Sequence, residues 1–215
     1  VRRGHDWIPL PGLAELLVGH GEEFATQEFG LPVRSILQRW GPDLNVKLRR
    51  DSKSKGQWRV AGYEGGMVCR GPTGGVVGRP ADEFLIDDLI RTPEQALSRS
   101  TLESHWNFYE TVVFGRLRRK TNLILTGTRW ARGDVFGRVL AKAKKTGEQW
   151  NVMKFPAIAS ANDILGRKPG EALWSEQVSL EHLLIAQKTN RWWNPCWQQE
   201  PEDEEGAWFK PNAWP

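Results

Sequence analysis

Two short apolar runs restrict the fold of this chain more than any other feature. "EFLID" (83–87) and "NLILT" (122–126) are both of strand length, both rich in Leu and Ile, and both lead into stretches with helical spacing. After the first, Thr92 can cap a helix with Pro93 at its opening position and Gln95 completing a capping box, and Leu102, Trp106, Tyr109 and Val113 follow at helical spacing as core residues. After the second, Asp134 can cap a helix that turns Val135, Val139 and Leu140 inward. Strands joined through helices run parallel to one another. The pattern therefore predicts an α/β fold with a largely parallel central sheet, its functional edge at the C-terminal ends of the strands.

The remaining segments are placed around that frame. Residues 1–21, Gly- and Pro-rich around "LAELLV", read as irregular structure with a helical turn or two. From Glu22 to Trp40 the spacing is helical, with Phe24, Phe29, Val33, Ile36 and Leu37 on a common side and Pro32 opening a second helix. "NVKL", "QWRVAG", "GMVCR" and "GGVVG" are β-like and separated by polar turns, which suggests a small antiparallel insertion. "WNVMKFPAI" reads as another strand and "SLEHLLIAQKTN" as a helix capped by Ser179. The acidic, Pro-rich, tryptophan-dotted tail, 198–215, reads as a linker.

Composition narrows the class of partner and the compartment. The chain has 215 residues, 30 basic against 26 acidic, a net charge of +4 and a pI near 9.2, which suits nucleic-acid contact without requiring it. Its two cysteines, Cys69 and Cys196, have no metal-ligand spacing, so the expectation is a reducing cytoplasm and inert thiols. No stretch approaches the roughly 20 apolar residues of a membrane span and no signal-like run opens the chain, so a soluble intracellular protein is expected. It begins with Val1, which leaves open that it derives from something longer. His5, His20, His105 and His182 show neither metal nor triad spacing and receive no role.

The first apolar run ends on two carboxylates, Asp87 and Asp88. At a strand end, Asp87 can coordinate magnesium while Asp88 orients or deprotonates a water; the same pair can equally cap the segment that follows. The second run ends in Thr126, Gly127 and Thr128 followed by Arg129, a turn able to meet a phosphate, although Arg129 can instead pair with Asp134. The phosphate-cradling pattern G-x-x-x-x-G-K-[ST] is missing from the sequence. "GPTGGVVGRP" is the nearest glycine-rich stretch and lacks the lysine and hydroxyl; its Arg79 is either a turn residue or a phosphate contact. "RLRRK" (116–120) and "KAKK" (142–145) are either solvated helix ends or phosphate contacts. Asp82 stands five positions from Asp87, so strand alternation argues against a shared nuclease site.

Taken in order, "GEEFATQEFGLPVRSIL", "GGVVGRPADEFLIDDLI", "SHWNFYETVVFGRL", "LILTGTRWARGDVFGRVL", "FPAIA", "DILGRKPGEALWSE" and "WQQEPEDEEGAWFK" resemble the large terminase subunit of tailed bacteriophages, across about nine-tenths of the chain. That family couples a P-loop ATPase to an RNase H-like endonuclease and packages double-stranded viral DNA into procapsids. The resemblance implies a P-loop NTPase-like (ASCE) sheet, here incomplete, and three segments: an atypical 1–21, a partial ATPase domain at 22–197 without its Walker A loop, and a linker at 198–215 toward a nuclease domain. It implies that Asp87 is the magnesium-binding Walker B acid, that Asp88 is the catalytic carboxylate, and that Thr126, Gly127, Thr128 and Arg129 couple to ATP. Implied partners are double-stranded DNA, the terminase small subunit, the portal protein and further copies in a ring, in the host cytoplasm and without a membrane. The alternative is a non-catalytic remnant of a prophage packaging protein that binds DNA or a partner through its basic and tryptophan-rich surfaces.

Overall fold

The computed structural model describes residues 2–3, 6–7, 14–52, 54–74, 81–117 and 121–201. The chain divides into two compact units, Val1–Arg91 with Ser104–Gly127, and Thr92–Glu103 with Thr128–Pro215.

In the first unit, Arg2–Arg3 (β1) and Asp6–Trp7 (β2) form a small antiparallel ladder, separate from a five-stranded sheet. The sheet is built from β3 (Ala14–Val18), β4 (Gln57–Arg59), β5 (Gly66–Arg70), β6 (Glu83–Asp87) and β7 (Asn122–Thr126), in the order β4-β5-β3-β6-β7. Only β4 runs antiparallel; β5, β3, β6 and β7 are parallel neighbours. The α/β expectation therefore holds at the level of a mostly parallel mixed sheet with helices.

Two of the expectations for this unit are corrected. "LAELLV" is neither irregular nor helical: it supplies β3, the middle strand, in which Leu16, Leu17 and Val18 are all buried. A strand covered on both faces reads as a continuous apolar run rather than an alternating one, and five residues are too few to separate it from a helical turn by periodicity. "QWRVAG" and "GMVCR" do pair antiparallel, but they are no insertion, because β5 joins the main sheet beside β3 with Leu17 opposite Cys69. "NVKL" contributes one isolated bridge, Leu48 to Val60, and most of "GGVVG", with Arg79, lies outside the described residues.

The crossover from β3 to β4 is helical: α1 (Glu22–Phe24) widens into a π-helical segment (Ala25–Gly30) and continues as α2 (Leu31–Trp40). Pro32 falls in the opening turn of α2, directly after the π-helical segment, as its place in the sequence predicts. Leu17, Ala25, Trp58, Met67 and Cys69 form the buried cluster under this helix, with Phe29, Val33, Leu37 and Leu85 packed against it. The Trp58 indole donates to the Gly30 carbonyl at 3.3 Å, and a Cβ at Gly30 would stand 2.9 Å from the Lys55 carbonyl oxygen and 3.0 Å from the Cys69 sulfur. Full burial of each large side chain here contributes about 1.5–3 kcal/mol. Of the aromatic stripe expected to be core, Tyr109 and Val113 are fully buried in this unit, within the π-helical segment Phe108–Val113.

The second unit is mainly helical. α3 (Pro93–Leu97) is capped as its sequence predicts, the Thr92 hydroxyl accepting from the Gln95 amide, and it is followed by α4 (Arg99–Asn107), which belongs to this unit as far as Glu103. α5 (Val135–Thr146) is capped by Asp134 and α6 (Leu180–Thr189) by Ser179. The basic end of α5, Lys144 and Lys145, lies in its last turn, where cations complement the helix dipole. "WNVMKFPAI" does not form a strand. Its only ladder contact is the bridge of Ile158 with Ala172, Val152 and Met153 are exposed, and Pro156 has no N–H to give to a ladder. Ala157, Leu183 and Trp193 form the core, with Trp197 stacked on Trp193. The start of the predicted linker is tied down: Gln198 accepts from the Ile158 N–H at 3.0 Å and donates to the Ile158 carbonyl at 3.1 Å. Residues 202–215 lie outside the described residues, and among the described residues no helix is long and apolar enough to cross a membrane.

Candidate functional site at the sheet rim

The order of the strands fixes where a site can form. From β3 the chain turns toward β4 and β5, whereas from β6 it goes to β7, so the connections leaving two adjacent strands diverge. In open α/β sheets that divergence opens a crevice beyond the strand C-termini. Gly19 and His20 leave β3 there, and Asp87 and Asp88 leave β6.

Asp87 is the last residue of β6 and lies opposite Thr126, the last residue of β7, in the parallel register. Both side chains therefore leave the face of the sheet that carries Leu85 and Ile124. That face is open over β7, where Ile124 is 50% exposed and Thr126 is exposed. Asp87 itself is half-buried, and its carboxyl is raised above the ordinary aspartate value, first by burial and then by the neighbouring charge of Asp88. No cation pairs with it among the described residues.

Asp88 adopts a left-handed backbone, φ 43°, which is uncommon for a residue with a side chain. Its N–H donates to the Thr126 carbonyl at 3.1 Å, which extends the pairing of β6 with β7 by one residue. Gly127, at φ 146°, lies so close that a Cβ there would stand 2.8 Å from the Asp88 Oδ1. Glycine at this position is required by both its backbone and its neighbour.

His20, to which the sequence reading gave no role, completes the rim. Its ring packs on Phe24 with centroids 4.1 Å apart, and its Nδ1 is buried without a partner among the described residues. Its basicity is lowered, chiefly by burial and then by Arg91, against the opposing pull of Asp88. The signal was present in the sequence: once "ELLV" is recognised as a strand, His20 falls at its C-terminal end, where sheet chemistry concentrates.

Asp82 sits at the other end of β6, accepting from the Ala14 N–H at 3.0 Å, roughly 16 Å of strand away from Asp87 at about 3.3 Å per residue. Among the described residues no group of three or more His, Cys, Asp and Glu side chains is gathered as a metal cage. A magnesium ion needs only one or two carboxylates, with water and phosphate oxygens completing its shell.

Thr128 and Arg129 belong to the second unit. Arg129 Nε donates to Asp134 Oδ2 at 3.1 Å, so the pairing considered from sequence is present. Asp134 is 2% exposed and also accepts from Gly137 N at 2.8 Å and Ala131 N at 3.3 Å. Its carboxyl is raised by burial, against the downward pull of Arg129 and these N–H donors. The same unit carries a groove of about 900 Å³, lined by Arg129, Arg132, Lys144 and Trp150 among others. Fold and rim together define an α/β protein with an acidic pair at the C-terminal edge of a mostly parallel sheet. No protein-family model matches the chain, and no curated protein matches it either.

Proposed function

We propose that this chain is the part of a viral DNA-packaging ATPase, of the terminase large-subunit kind it resembles, that carries the magnesium-holding and phosphate-coupling strands. One observation carries the reading: Asp87 stands in register with Thr126, and Asp88 is pressed against Gly127, on an open sheet rim. The residues fit a magnesium ion. A half-buried carboxylate with a second carboxylate beside it and no cation paired to it among the described residues would be stabilised by a divalent charge, and Asp87 would hold it. When bound, the ion would neutralise charge on phosphate oxygens. By the resemblance, Asp88 would orient or deprotonate a water, and Thr126, Gly127, Thr128 and Arg129 would be the residues that meet a phosphate.

The described residues do not fit a triphosphate cradle. The loop from β3 opens on a helix whose first turn carries Glu22 and Glu23, acids at the end where a helix otherwise attracts phosphate, and Glu22 is paired with Arg70 at 3.5 Å. ATP turnover by this chain alone is therefore expected to be weak or absent.

The test is Mn²⁺ binding, followed by water-proton relaxation, in the wild type and in Asp87→Asn. Affinity at least about tenfold lower in the variant is expected, in line with the loss of a ligand or its close support. Equal affinity in the two proteins would overturn the metal assignment. A second reading, DNA or partner binding without catalysis, is favoured by the groove of the second unit, where Arg132 and Lys144 accompany Trp150, whose indole N–H is buried without a partner. Double-stranded DNA binding that is salt-dependent, independent of Mg²⁺ and lost in Lys144→Glu would support that reading.

A further inference from the structure

We infer that the groove along α5 is a docking site for the acidic and aromatic segment 202–209 of the same chain. The inference does not depend on the metal reading of Asp87 and Asp88.

The groove lies wholly within the second unit. Gly137, Leu140, Ala141 and Lys144 line it at helical spacing, so one face of α5 forms a wall. Arg132 and Lys144, both exposed, stand toward the two ends of that face, while Arg129 is engaged by Asp134. Glu148 is the one carboxylate in the lining among the described residues. Trp150 adds an indole N–H that is buried with no acceptor among the described residues. A cationic wall beside an aromatic ring with an unused donor fits a partner rich in carboxylates and aromatic rings.

The chain carries such a segment to the groove. The Pro201 carbonyl accepts from Arg132 Nε at 3.3 Å, so residue 202 departs from beside a residue that lines it. The approach is fixed further back by the Gln198 bonds to Ile158 and by the ion pair of Glu200 with Lys154. Glu202, Asp203, Glu204 and Glu205 come next, then Trp208 and Phe209 after a Gly-Ala step. Four extended residues cover about 13 Å at ~3.3 Å each. The face from Gly137 to Lys144 is about 10 Å long at ~1.5 Å per residue, so the acids reach Lys144 and the aromatic pair follows beyond it. Exposed ion pairs are individually weak, but a tether this short holds the segment at an effective concentration in the millimolar range, where weak contacts suffice.

Two measurements on the full chain test this. Mixed unlabelled and ¹⁵N-labelled copies are treated with a carbodiimide, which joins an amine to a carboxylate in contact, and the crosslinked peptides are identified by mass spectrometry. Lys144 is expected to couple to one of residues 202–205 within a single copy, with the yield falling severalfold in 1 M salt. Amide hydrogen exchange across 202–209 is expected to be about tenfold faster in Arg132→Glu with Lys144→Glu than in wild type, and to slow again when Glu204→Lys and Glu205→Lys are added. No coupling of Lys144 to 202–205 overturns the proposal. Coupling only between labelled and unlabelled copies also overturns it and assigns the groove to a second copy. Double-stranded DNA that binds equally well to wild type and to a chain with 202–205 neutralised to Gln and Asn, but not to Lys144→Glu, assigns the groove to nucleic acid and overturns it likewise.

Discussion

Replacing Gly127 with alanine tests the rim directly, and its cost can be worked from the geometry. At φ 146° the backbone lies where L-residues are rarely found, a strain of about 1–3 kcal/mol. The new methyl would stand 2.8 Å from Asp88 Oδ1 and 3.3 Å from the Asp88 Cα and N. Against an optimal separation of about 3.5 Å, the carboxylate must retreat by roughly 0.7 Å and the Asp88 backbone must give slightly. The carboxylate can swing, so most of the penalty is backbone strain, and a total of about 2 kcal/mol is expected. For a chain of this size that lowers Tm by about 4–8 °C. The control is Gly115→Ala, where the added Cβ meets nothing within 4 Å in a helical segment, so stability is expected to stay level or rise by up to about 1 kcal/mol. Thermal unfolding followed by circular dichroism compares the two. Should Gly127→Ala melt at the temperature of Gly115→Ala, the close approach of β7 to Asp88 is wrong and the rim loses its defining contact.

Two further outcomes follow from the charged groups. Asp87 has a raised carboxyl, so the folded state holds its proton more tightly than the unfolded one; the resulting stability is complete below the ordinary aspartate value near 3.9 and is lost as pH rises through the raised one. In metal-free buffer, Asp87→Asn is therefore expected to be more stable than wild type at neutral pH, with the gap closing toward pH 4; urea midpoints across that range check it, and a gap that grows on acidification contradicts the assignment. Asp134→Ala removes the cap of α5 and strands the Arg129 guanidinium, at an expected cost of about 3 kcal/mol, while Asp134→Asn keeps a capping oxygen and loses less. Equal urea midpoints for the two variants would show that the cap carries nothing.

The strands ending at Asp87 and Thr126 were legible because each carries an apolar run, and the capped starts of α3, α5 and α6 were legible because Thr92, Asp134 and Ser179 sit directly before helical spacing. What escaped was non-local. Val18 is fully buried because β5 and β6 flank its strand, and neither partner is near it in sequence. Without that strand, His20 was one more scattered histidine. The opposite error occurred at residues 150–158, where Val152, Met153 and Phe155 have strand propensity but no ladder to join, showing that propensity follows pairing rather than creating it.

The central place of β3 has a kinetic consequence. Leu17 meets Cys69 and Leu85 in the finished sheet, partners that arrive about 50 and about 70 residues later in the chain. On a ribosome, this sticky ribbon emerges well before either of its strand partners, and α1 and α2 follow directly behind it. The second flank of β3 must wait for the strand that ends on the two aspartates, so the segment that forms the rim also encloses the oldest part of the core.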